Sequence, residues 1–227
     1  MTRPIVLAMT GASGAAYGVR LLQELLRADR SVHLVISDSG ETVLQQELGI
    51  RLQGSSLDTL LKFGWKGSSK WRGFTEAECE VARQRLHRHA VHDFMAPIAS
   101  GSYRTDGMIL CPCSGTTLSG IVHAQGKDLI QRAAEVHLKE HRKLLLVPRE
   151  TPLSLFQLEN MHRAAQAGAI VLPAMPGWYH GVECVVDLID FVVGRILDHF
   201  DIEHRLMRRW GSEADAFGAT SAEEASS

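Results

Sequence analysis

Five short apolar runs, Ile5–Met9, Val32–Ile36, Met108–Leu110, Leu144–Val147 and Ala169–Leu172, alternate along this chain with segments whose apolar residues recur at helical spacing. That alternation constrains the fold more than any other feature, because strands separated by helices of this length require a parallel sheet with right-handed crossovers. The helical segments run over Tyr17–Leu26, about 41–48, Asp128–Lys139, Ser154–Ala167 and Val185–His199, with a further helix opening near Leu118. The reading is an α/β fold, a doubly wound parallel sheet with helices on both faces, in one domain over residues 1–211. Gly54–His92 interrupts the rhythm with Gly, Ser, Lys and Trp followed by a charged helical stretch, Glu76–Arg88, and is expected to pack outside the sheet. Residues 212–227 are Ala, Ser, Glu and Gly, a composition that buries too little apolar surface to order itself.

Function classes narrow quickly. Twenty-four basic residues balance 26 acidic ones and are scattered rather than gathered into a stripe, which argues against nucleic acid as a partner. No apolar stretch reaches the roughly 20 residues needed to span a bilayer, so the chain reads as soluble and cytoplasmic. Cys79, Cys111, Cys113 and Cys184 contain no Cys-x-x-Cys pair, so reduced thiols are expected, with neither a disulfide framework nor a zinc site. His87, His89 and His92 with Asp93 match no standard metal spacing, and no metal is assigned.

In an open α/β sheet, ligands bind outside the carboxyl ends of the strands, which directs attention to the loops there. Arg149-Glu150, between Pro148 and Pro152, sets a cation beside a carboxylate at the end of the fourth run. The pair suggests anion binding joined to proton transfer, and an ordinary ion pair in a turn is the alternative. Gly11-Ala12-Ser13-Gly14 follows the first strand and precedes a helix, a setting that favours a phosphate or another electron-rich group at the positive helix end. Its glycines do not spell Gly-x-Gly-x-x-Gly, and no Walker lysine follows, so ordinary nicotinamide or ATP binding is disfavoured. Ser37 and Ser114-Gly115-Thr116-Thr117 occupy equivalent positions after the second and third strands, with hydroxyls suited to a ribityl chain or phosphate, or simply to capping. Arg132 and Lys139, seven apart, share a helix face and are candidates to converge with Arg149 on a phosphate. Pro173–His180 is rich in rings and rigid turns, able to cover a planar ligand or a short isoprenoid, or to form a lid or subunit contact.

Together these segments resemble the UbiX-type flavin prenyltransferases, a branch of the flavoprotein superfamily that also holds flavin-dependent cysteine decarboxylases. The carriers are Leu7–Ala15, Met95-Ala96-Pro97 with Ala99-Ser100-Gly101-Ser102, Cys111–Ser114, Arg132–Glu135, Leu138-Lys139-Glu140, Val147–Pro152 and Tyr179-His180. The resemblance runs from Ile5 to about Trp210 and implies a Rossmann-like flavoprotein fold. It also implies FMN binding and transfer of a dimethylallyl group from dimethylallyl phosphate to N5 and C6 of reduced FMN. The product, prenylated FMN, would serve a UbiD-type decarboxylase in ubiquinone biosynthesis or aromatic acid decarboxylation. By the same resemblance Gly11, Ala12, Ser13, Ser37, Ser114–Thr117 and Arg149 contact FMN, and Arg132, Lys139, Tyr179 and Arg195 bind the prenyl phosphate, Arg132 from a neighbouring subunit. Ser13, Glu47 and Glu150 are the implied catalytic residues, and a homo-oligomer, as large as a dodecamer, is the implied assembly.

Two departures stand out: Phe94 where many relatives carry tryptophan, and Lys62–Phe74, which looks like an insertion. Phenylalanine offers a weaker π face to a cationic prenyl group. An FMN-dependent cysteine decarboxylase is the competing enzyme, but Ala15-Ala16-Tyr17 lacks that branch's first-helix histidine. A non-catalytic flavin carrier is the third reading, and it leaves Glu47 and Glu150 without a chemical task.

Overall fold

A computed structural model of the chain describes residues 2–52 and 57–207. Strand β1 (Ile5–Met9) is followed by helix α1 (Ala15–Arg27), β2 (Val32–Ile36), α2 (Asp38–Leu48), a short α3 (Asp58–Leu61) and α4 (Glu76–Arg83). Then come β3 (Leu86–His89), β4 (Gly107–Cys113), α5 (Gly115–Val122), α6 (Leu129–Lys139), β5 (Leu144–Pro148), α7 (Leu155–Gln166), β6 (Ile170–Val171) and α8 (Val185–His199). All six strands are parallel in the order β3-β2-β1-β4-β5-β6, so the chain winds one way from β1 and then, beginning at β4, the other. The expected doubly wound α/β fold is the observed one. Residues 212–227, expected to be disordered, lie outside the described residues.

The apolar runs read as strands because they are covered on both sides. Ile5, Leu7 and Met9 point with Leu34, Ile109 and Val147 into one core beneath α1 and α8, while Val6, Ala8, Leu110 and Leu146 point into a second beneath α5 and α6. Arg20 of α1 joins α8 through a two-point contact with Asp190, Nε to Oδ1 at 2.7 Å and Nη2 to Oδ2 at 3.1 Å, with both side chains buried. Among the described residues no helix is long and apolar enough to cross a membrane.

Residues 57–92 correct the expectation drawn for Gly54–His92. Their charged helix ends at Arg83, and Leu86–His89 adds β3 to the sheet by pairing with β2. A Leu-His-Arg-His stretch forms a strand here because β3 is an edge, where polar and charged side chains are tolerated and discourage further pairing. The apparent insertion 62–74 is built into the core. Buried Gln23 donates its amide to the carbonyls of Leu60 (2.8 Å) and Phe63 (2.9 Å) and accepts from the indole N–H of Trp71 at 2.8 Å. Trp71, only 1% exposed, packs with α1 and α8.

His137 of α6 is fully buried, its Nδ1–H donating to the Ala133 carbonyl at 2.7 Å and its Nε2 accepting from the Thr105 hydroxyl at 2.7 Å. Those partners hold it neutral, and burial pushes its pKa down to about 4. The folded value lies below the unfolded value of about 6.5, so this stabilisation is complete above that pH and is lost as pH falls toward 4. The unfolding free energy from urea denaturation is expected to drop across that window, by on the order of 3 kcal/mol for this one group. His33, also lowered to about 4, adds to the slope, so His137→Gln should flatten it in part. An unchanged slope in that variant would remove His137 from the account.

Candidate functional site

The winding direction reverses between β1 and β4, so the loops that follow these strands diverge and open a crevice. Thr10 clasps its two sides. Its N–H and hydroxyl both donate to the Pro112 carbonyl, at 3.1 and 2.9 Å, and its Oγ1 accepts from the Ser114 N–H at 2.8 Å. Gly11 then passes so close to the first turn of α2 that a Cβ there would lie 2.5 Å from the Ser39 hydroxyl. Gly14, in the left-handed region at φ 105°, turns the chain into α1.

Gly14 caps α1 without a side chain, and Glu47 supplies the missing acceptor from α2. Its carboxylate receives the N–H groups of Gly14 (2.9 Å) and Ala15 (2.8 Å). The positive end of α1 therefore holds an internal anion at these two donors, rather than leaving both free for a phosphate. Ser37 and Ser114 are the N-caps of α2 and α5, accepting from the N–H groups of Gly40 (3.1 Å) and Thr117 (3.2 Å). Ser114 also donates its hydroxyl to Thr117 Oγ1 at 3.0 Å.

Arg149 and Glu150 follow β5 directly and do not pair with each other. Arg149 Nε donates to the Ser13 carbonyl at 3.0 Å, tying the β5 loop to the β1 loop. Glu150 accepts from the Thr151 N–H at 3.2 Å and from Gln157 Nε2 at 3.1 Å, and the residue is exposed. The turn ion pair is thus not formed, and both charged ends are held by groups other than each other. Gly11, Ala12, Ser114, Gly115, Thr116, Arg149 and Glu150 line one open cavity of about 660 Å³, within the range typical of small-molecule sites. The 173–180 segment is brought to the same edge by the Ala174 N–H, which donates to the Pro148 carbonyl at 3.0 Å.

Other sequence candidates lie elsewhere in the chain. Lys139 closes α6 just ahead of the start of β5, which places it toward the amino ends of the strands, away from the loop edge, and it pairs with Glu140 at 3.0 Å. Arg132 donates to the Ala99 carbonyl at 3.2 Å, and Arg195 pairs with Asp198 at 3.0 Å. None of the three lines the Arg149 cavity, so convergence of Arg132, Lys139 and Arg149 does not occur within one chain. Tyr179 is 62% exposed and meets Phe191 edge to face. Cys111 and Cys113 are buried, and burial pushes both thiols up, Cys113 to about 12, so neither presents a thiolate to a ligand. Among the described residues no group of three or more His, Cys, Asp or Glu is placed to hold a metal ion.

Sequence reasoning passed over Gln125, Lys127, Gln157 and Asn160, which also line the cavity. Gln157 had a legible signal: Ser154-x-x-Gln157 spells a capping box, and both of its hydrogen bonds are present. The other three face the cavity only through the tertiary packing of α5, α6 and α7.

The Flavoprotein family profile matches residues 1–197. The flavin prenyltransferase UbiX of Alkalihalophilus pseudofirmus is 47% identical over 203 residues, covering 89% of this chain and 94% of that protein. A crystal structure of AnUbiX (PadA1) in complex with FMN and dimethylallyl pyrophosphate superposes with a TM-score of 0.76 at 38% identity, covering 93% of this chain and 99% of the other. A dodecameric FMN-dependent UbiX-like decarboxylase from Escherichia coli O157:H7 does so with a TM-score of 0.74 at 39% identity, covering 92% and 100%.

Removing the Glu47 carboxylate leaves two first-turn N–H groups of α1 without their protein acceptor. Glu47→Ala should therefore cost about 1 kcal/mol in chemical denaturation at neutral pH, as loss of an N-cap does. A variant as stable as the parent would show that the carboxylate contributes nothing to α1.

Proposed function

The chain belongs to the UbiX flavin prenyltransferases of the flavoprotein family, and from that membership we propose that it transfers a dimethylallyl group to N5 and C6 of reduced FMN. The observation that supports the reading is the shared cavity at the β1/β4 reversal, where Gly11, Ala12, Ser114–Thr116 and Arg149, six of the nine positions the resemblance assigns to FMN, line one space with Glu150, while Ser13, Ser37 and Thr117 lie outside its lining. Small residues on its floor and helix caps along its rim suit a flat ring with a polyhydroxyl tail, and Arg149 suits an electron-rich flavin edge or phosphate.

Bound in its reduced form, FMN supplies two nucleophilic positions. Dimethylallyl phosphate supplies the isoprenoid, whose carbon–oxygen bond breaks with phosphate leaving. The flavin positions N5 and C6 each give up a proton and the alkene takes one, so the reaction needs a group that moves protons beside the ring. We assign that work to Glu150, whose carboxylate is held at both oxygens yet remains exposed to the cavity. Ser13, whose carbonyl holds Arg149, is assigned to the leaving phosphate. Glu47, anchored at the start of α1, acts on the flavin side.

Lys139, Tyr179, Arg195 and Arg132 form the phosphate-binding set in this reading, and a homo-oligomer reconciles it with their separation in one chain. Large apolar side chains stand exposed around the loop edge, among them Met95 (92%), Phe156 (75%) and Trp178 (70%), a pattern that calls for burial by neighbouring copies. The assembly is proposed to be a dodecamer in which Lys139 and Arg132 reach the cavity of an adjacent copy. Prenylated FMN then passes to a UbiD-type decarboxylase, serving ubiquinone biosynthesis or aromatic acid decarboxylation. The four cysteines are all free, and with a reduced flavin as substrate the reaction is assigned to the cytoplasm.

Anaerobic incubation with reduced FMN and dimethylallyl phosphate should release a flavin heavier by one isoprene unit in mass spectrometry. An unchanged mass from protein shown to hold FMN would sink the activity. Glu150→Gln should slow turnover at least a hundredfold while FMN stays bound. Mixed oligomers of Glu150→Gln and Lys139→Ala chains should regain activity that neither variant has alone, since some sites then draw both intact residues from different copies. No recovery in verified mixed oligomers would place the two residues of a site on one chain.

A further inference from the structure

We propose that Gln157 is a positioning residue for Glu150, fixing the carboxylate through an amide that the start of α7 orients; the inference rests on the proton-transfer reading of Glu150.

The hydrogen-bond pattern leaves one orientation of that amide. Ser154, the N-cap of α7, donates its backbone N–H to Gln157 Oε1 at 2.8 Å and accepts the Gln157 N–H on its hydroxyl at 3.3 Å. A backbone N–H only donates, so the atom facing Ser154 is the amide oxygen. The amide nitrogen is thereby turned to the other side, where Nε2 donates to Glu150 Oε2 at 3.1 Å. A carboxylate accepts at both oxygens when ionised, and the second oxygen of Glu150 takes the Thr151 N–H at 3.2 Å. Glu150 is exposed, on a turn, with two donors of its own chain to hold it, and only Gln157 is anchored in a helix.

The surroundings keep the amide in place. It sits against the first residue of α5, where a Cβ on Gly115 would lie 3.2 Å from Nε2. A helix cap is thus converted into a fixed donor inside the cavity that Arg149 and Glu150 line. Neither role requires the other, which makes them separable by substitution.

Gln157→Glu separates them. Glutamate is an equally good capping-box residue, so it keeps the Ser154 contacts and the stability of α7, but it presents an oxygen with negative charge to Glu150 in place of an N–H. The variant should keep the folded structure and still bind FMN, while kcat measured at saturating substrate falls about tenfold or more and the acid limb of its pH profile moves to higher pH. In a Glu150→Gln background the same substitution should cause no further loss, because a residue acting through Glu150 has nothing left to position. Normal kcat and an unmoved pH profile in Gln157→Glu, with Glu150→Gln still slow, would overturn the positioning role alone. Full activity in Glu150→Gln would overturn the proton-transfer reading and this inference with it. Additive losses in the double variant would show that Gln157 acts independently of Glu150, and would equally overturn it.

Discussion

The reversal of strand order between β1 and β4 is the constraint on which the rest of this protein depends. A parallel sheet wound outward from its middle must leave two neighbouring loops heading to opposite faces, and a gap opens where they part. Thr10 holds that gap to a fixed width through three hydrogen bonds reaching Pro112 and Ser114. The N-caps of α2 and α5 stand at the carboxyl edge of the sheet with it, and Arg149 draws the β5 loop in by bonding to the Ser13 carbonyl. Geometry at the cavity is therefore inherited from backbone pairing rather than from flexible surface side chains.

Charge at this edge is handled by giving each group a separate partner. Glu47 settles on the positive end of α1, Glu150 on a backbone N–H and an amide, and Arg149 on a carbonyl. No strong ion pair joins these three, so each keeps capacity for a ligand. The arrangement differs from the outer surface, where Arg72–Glu78 and Arg83–Asp58 pair directly. Such exposed pairs contribute little to stability, whereas Arg149 and Glu150 line the cavity without an ion pair between them.

Residues 57–89 extend the fold beyond a plain doubly wound sheet. They add an edge strand and a tryptophan-centred patch to the core beneath α1 and α8, and buried Gln23 is what makes the patch possible, since its one amide takes up backbone carbonyls and the Trp71 indole together. Interior polar groups of this kind are tolerated only when fully bonded. The core gains area on one face of the sheet, on the side away from the α5–α7 layer.

Much of this was legible in the residues. Apolar runs buried on both faces announce parallel strands by being continuous, and Asp128 and Ser154 cap helices where the sequence reading opens them, while α2 and α5 begin three residues before their expected starts, at the caps Ser37 and Ser114, because a cap is a local interaction among four neighbouring residues. Edge strand β3 was hidden because an edge needs no apolar pattern. The meeting of Glu47 with Gly14, of Arg149 with Ser13 and of Gln157 with Glu150 spans 33, 136 and 7 positions, and the separation of Lys139 from Arg149 follows from the direction in which α6 feeds β5. The sequence by itself determined the alternation of strands and helices, the loops that carry chemistry and the family those loops resemble, since each is set by near neighbours. Which charges meet, which thiols are sealed and which cations stand apart from the Arg149 cavity were decided by tertiary structure, because chain direction and sheet order set distances that no local pattern encodes.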